Sequence, residues 1–83
     1  MANSKVYYMD AHSETVETSI VAKMLSVFDA AGLDEMIAPN DIVAIKIHCG
    51  EWNNSAYLRP VYARALADKI KELGGRPFVC DTT

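Results

Sequence analysis

The sequence predicts an α/β fold, a β-α-β-α-β order closing into a three-stranded parallel sheet. Three observations carry that expectation. β-branched and aromatic runs at Lys5–Met9, Ile42–Ile47 and Arg76–Cys80 alternate with segments whose apolar residues recur at helical spacing. Glycines close both helical segments, Gly32 after the first and Gly74 and Gly75 after the second. The connections are long enough for right-handed crossovers, which make consecutive strands parallel. With 83 residues, 51% of them hydrophobic, the chain is one globular unit without an internal boundary. A parallel sheet needs helices on two faces, and this length is tight for that, so residues 1–83 are expected to be the N-terminal part of a single α/β domain, an incomplete fragment of a larger one.

In chain order, Lys5–Met9 has strand composition and Asp10 closes it. Residues 10–13 form a loop. From about Ser13 to Ala31 the positions Val16, Ile20, Met24, Phe28 and Ala31 mark an amphipathic helix, with Ser13 or Thr15 as N-cap candidates. Leu33–Ile37 adds a helical turn, and Ala38, Pro39, Asn40 and Asp41 make a tight return. The central strand from Ile42 to Ile47 is apolar apart from Lys46, the pattern of a strand covered on both faces. Residues 50–58 are polar and irregular, longer than the usual strand-to-helix connection. Pro60 suits a first helical position, where its missing N–H has no intrahelical partner to lose. Tyr62, Leu66, Ile70 and Leu73 then describe the second helix. Tyr7, Tyr8, Met24 and Phe28 are expected in the core.

Composition narrows the function classes. A net charge of -3 with scattered Lys and Arg argues against a nucleic-acid surface. No apolar run approaches the ~20 residues of a membrane span, and the first residues lack the apolar core of a secretion signal, which makes cytoplasmic the default. Two cysteines, Cys49 and Cys80, do not supply the four thiolates of a typical iron–sulfur or four-cysteine zinc site.

Ligands of open α/β sheets bind outside the carboxyl ends of the strands, and this edge collects Asp10, His48, Cys49, Glu51 and Asp81. Alternation puts Lys46 and His48 on one face of the central strand, roughly 7 Å apart from two residues of rise. A mid-strand ammonium flanked by isoleucines is costly to bury without a partner, so Lys46 is a site candidate as much as a snorkelling structural lysine. For His48 the bland alternative is a hydrogen-bonded histidine at a strand end, and sharing a face with Lys46 favours a site role. Cys49 and Cys80 read as small buried hydrophobes, because neither has an identified base. Glu51, Asn53 and Asn54 are either solvated turn residues or ligand contacts on a loop at the binding edge. Asp81 and Thr82 either contact a ligand or begin the next turn; Asp10 and His12 are weaker. No dinucleotide, phosphate-loop or serine-hydrolase motif occurs.

At Val43–Glu51, Leu58–Pro60 and Pro77–Thr83 the sequence resembles the domain-of-unknown-function family 362, the uncharacterized Fe–S center proteins. The shared pattern is a V-A-I-K-x-H-x-G-E core, an R-P helix start and a D-T after the third strand. The resemblance implies Lys46, His48, Gly50, Glu51, Arg59, Pro60, Asp81 and Thr82 as family-like positions. It also implies that this chain corresponds to the N-terminal part of a longer protein, whose [4Fe-4S] cluster is held by ferredoxin-like cysteine motifs further on and not by this chain. Cys49 stands where the family often has an aromatic residue.

The combined expectation is the N-terminal portion of an iron–sulfur center protein, redox-related, with a metal or small-anion site at the carboxyl edge. Lys46, His48 and Glu51 are its catalytic candidates, Asn53, Asn54, Arg59 and Thr82 its ligand contacts, and His48 with Asp81 the ligands of a divalent metal. Expected partners are a C-terminal ferredoxin-like region or a second copy paired through the unfinished sheet. Competing expectations are a non-enzymatic scaffold or self-association module, and a metal-dependent hydrolase or isomerase with Lys46 as electrostatic stabiliser or base.

Overall fold

In the computed structural model, residues 4–48, 50, 52–53 and 57–81 are described. Helix α1 spans Ile20–Ala30, a 3-10 turn covers Leu33–Met36, strand β1 is Ile42–Lys46, helix α2 is Pro60–Glu72 and strand β2 is Arg76–Cys80. The strands pair in parallel, Ile42 opposite Arg76 through Lys46 opposite Cys80, with α2 as the crossover. The α/β class is thus met.

The third strand is not. Among the described residues the sheet has two strands, and Lys5–Met9 pairs with neither. That segment lies along α1, where Tyr7, Tyr8 and Met9 line a cavity of about 290 Å³ with Ile20, Met24 and Val27. Lys23 holds it there: its ammonium donates to the Asp10 carbonyl and carboxylate and to the His12 carbonyl. Val6 stays 89% and Tyr8 80% exposed, so the expected core role of Tyr8 fails, and Tyr7 is exposed too. β-propensity without a strand to pair with does not make a strand.

Helix α1 starts later than its apolar pattern. Thr18 Oγ1 accepts the N–H of Glu14 and of Thr15, which turns the backbone out of helix before Ser19. Ser19 then caps α1 by accepting the Ala22 N–H at 3.1 Å, so neither Ser13 nor Thr15 is the cap. The C-terminus ends as read: Gly32, at φ 78°, donates to Asp29 O and reverses the chain. Helix α2 begins with Pro60 at its first turn and gives way to Gly74, at φ 90°.

The core is small: Phe28 of α1, Ile45 of β1, and Ala63 and Ile70 of α2 are buried. Phe28, Leu66 and Ile70 line one cavity with Val43 and Ile45, which places both helices on that face of the sheet. Residues of the opposite face, Ile42, Ala44 and Phe78, are exposed. This corrects the reading of a strand covered on both faces. A long apolar run is compatible with two covers, but the two helices supply one.

Candidate functional site

Asp81 follows the last paired residue of β2, and the Ile47 N–H still reaches Cys80 O at 3.1 Å, so the ladder brings Asp81 level with Ile47, between Lys46 and His48. The result is an ionic cluster at the carboxyl edge of the sheet. Lys46 Nζ lies 3.0 Å from Asp81 Oδ1, and His48 Nδ1 lies 3.8 Å from Asp81 Oδ2. The first is an ion pair at contact distance; the second is electrostatic proximity, beyond hydrogen-bond length. The carboxylate is the sheltered member, 19% exposed against 55% for the Lys46 side chain. Three sequence candidates are therefore brought together, with the acid innermost and the ammonium toward solvent.

The other candidates fare differently. Asn53 is exposed at a turn with φ 64°, and Arg59 is exposed at the N-cap of α2, where its carbonyl accepts the Tyr62 N–H. Cys49, Glu51, Asn54 and Thr82 lie outside the described residues. Asp10 does not join the cluster but pairs with Lys23, and His12 pairs with Glu14 at 3.0 Å. The Lys23 ammonium, through its hydrogen bond and its charge, holds the Asp10 carboxyl below its ordinary value, with help from the His12 N–H.

Two features escaped the sequence reading. One is the Lys23 clamp, whose signal was a single charge within the otherwise apolar first turns of α1. The other is Tyr57, whose ring packs on Gly50 so closely that a Cβ at Gly50 would lie 3.0 Å from it. Gly50 also has φ 108°, so this glycine both turns the loop after β1 and receives the ring. Nothing in local spacing pairs residues 50 and 57.

Among the described residues no three His, Cys, Asp or Glu side chains gather as a metal shell. His48 and Asp81 are two donors, and the Lys46 ammonium already occupies one Asp81 oxygen, a poor fit for a dication. The donor set does not fit a [4Fe-4S] cluster either, since the sequence has two cysteines, of which Cys80 is a half-buried free thiol at the end of β2. No described helix is long and apolar enough to cross a membrane.

No curated protein and no solved structure matches the chain. A family model does: it is described as Domain of unknown function (DUF362) and matches residues 43–83, from inside β1 through the Lys46, His48 and Asp81 cluster. That stretch runs from Val43 of β1 through α2 and β2 and includes the ionic cluster, and over it the chain matches the DUF362 family.

Proposed function

We propose that the carboxyl edge of the sheet binds a small anionic ligand, within the N-terminal portion of a redox-related iron–sulfur center protein whose cluster is held outside this chain. The observation that carries the anion site is the Lys46–Asp81 pair at 3.0 Å on a half-exposed ammonium. The ion pair with Asp81 holds the ammonium at the sheet edge, and its half-exposed N–H donors can meet an incoming oxyanion. His48, 3.8 Å from the same carboxylate, is the neighbouring acid–base group. The redox part of the reading is supported by resemblance to the Fe–S center family alone. The metal-dependent hydrolase is the weaker reading, because a dication would compete with Lys46 for Asp81.

Titration of inorganic phosphate or sulfate into the chain, followed by backbone and His48 ring NMR shifts, tests the site. Saturable shifts centred on Lys46, His48 and Asp81 are expected, and Lys46→Met should abolish them. Shifts that survive Lys46→Met, or that are spread over all basic residues, would sink the proposal.

A further inference from the structure

The two edges of the sheet are not equivalent. Arg76 N–H donates to Asp41 O and Ile47 N–H donates to Cys80 O, so in the parallel register Val43 and Ile45 spend their backbone groups on β2, while Ile42, Ala44 and Lys46 turn theirs outward. On β2 the outward residues are Pro77 and Val79, and Pro77 has no N–H to offer. Among the described residues one edge is thus closed to strand addition and the other is open. The open edge has no proline or bulge. Beside it runs an apolar cavity of about 340 Å³, lined by Leu33, Met36, Ile37 and Val43, in which Met36 is 73% exposed.

We propose that two copies of this chain pair antiparallel through the free edge of β1, on a two-fold axis at Ala44. Unpaired alternating N–H and C=O groups call for an extended strand as occupant, and the three outward residues are symmetric about Ala44. That register sets Ala44 against Ala44 of the second copy and Ile42 against the Lys46 stem. It uses every outward group, whereas any shift leaves some unpaired. No like charges meet across the axis, because each Lys46 faces Ile42 of the second copy. A small residue at the axis lets the backbones approach, and the two-fold repeats the same patch on both sides. The chain as a whole exposes 6670 Å², against about 4,900 Å² expected for a folded monomer of its mass, so it carries surface still to be covered. The pairing shares Lys46 with the anion site but rests on the backbone groups of β1, not on the ammonium.

Sedimentation equilibrium of the full chain, combined with amide hydrogen exchange at Ala44, tests it. The expected result is twice the chain mass, with Ala44 N–H protection that rises with protein concentration. Ala44→Pro removes an outward N–H while sparing the β1–β2 ladder and should return a monomer; Val79→Pro, on the closed edge, should leave the dimer intact. A monomer at millimolar concentration, a dimer in which Ala44 exchanges freely, or Ala44 protection without a change of mass would each overturn the proposal. The last would mean that a segment of the same chain covers the edge. Because mass and exchange are read on the unsubstituted chain, a variant that fails to fold leaves the test standing.

Discussion

At the scale of single residues, Gly75 carries the sharpest steric demand. A Cβ there would lie 2.7 Å from Ile70 Cγ2 and 3.0 Å from Ile37 Cγ2, and Ile70 is 2% exposed, so it has no room to yield. Gly75→Ala should therefore destabilise the chain by ~1–3 kcal/mol, the usual cost of overpacking, read as a lower urea midpoint. Gly32→Ala makes a useful contrast, since nothing lies within 4 Å and only its φ of 78° resists a side chain, at roughly 1–2 kcal/mol. A Gly75→Ala loss below about 0.5 kcal/mol, as at an exposed position, would refute the packing account of Gly75. Asp10 supplies a pH dependence. Its carboxyl is held below 3.8 by Lys23, so its contribution to stability is present above pH 3.8 and fades as pH falls through the lowered folded value. The unfolding midpoints of the wild type and Asp10→Asn should differ at neutral pH and converge in acid. A gap that does not narrow in acid would show that the carboxylate charge is not what Lys23 holds.

At the scale of elements, α1 depends on one cap. Ser19→Ala removes the acceptor of the Ala22 N–H and should cost about 1 kcal/mol, with fraying at the start of α1 visible as faster amide exchange at Val21 and Ala22. Thr15→Ala, which lies outside the helix, should leave those amides unchanged. The same helix shows what local sequence can and cannot encode. Its apolar face and Gly32 were readable because periodicity and a left-handed terminus are properties of the residues themselves. Its start was not, because Ser13, Thr15, Thr18 and Ser19 are all cap-competent, and the choice is made by the Thr18 hydroxyl turning back on Glu14 and Thr15. Helix α2 and strand β2 were readable for the corresponding reason: Pro60 and Gly74 punctuate them unambiguously. Lys5–Met9 was misread because a strand exists only through its partner, and the Lys23 clamp, which no periodicity announces, lays that segment on α1. At the site, alternation correctly grouped Lys46 with His48, and the crossover brought Asp81 beside them; the pairing of Tyr57 with Gly50 is a loop contact without a local signal.

At the scale of the whole molecule, stability rests on very little. The radius of gyration is 14.3 Å, above the ~12 Å of a compact chain this long, and among the described residues the buried hydrophobic side chains are Ile70, Phe28, Ile45 and Ala63. Ile70→Ala should cost ~2–5 kcal/mol, which is a large share of the ~5–15 kcal/mol that holds an ordinary domain together, so the variant should lose its cooperative thermal transition. Phe78 tests the other side of the sheet. It lies on the uncovered face, in register with Ala44, and is exposed in the single chain. If the isolated chain is the working unit, Phe78→Ser should change the urea midpoint by less than about 0.5 kcal/mol, as for other exposed positions, while Ile70→Ala abolishes folding. A loss of ~3 kcal/mol or more at Phe78, approaching that of a buried aromatic, would instead mean that the face is covered in the folded protein, and that the single-chain core described above is not the whole of what stabilises it.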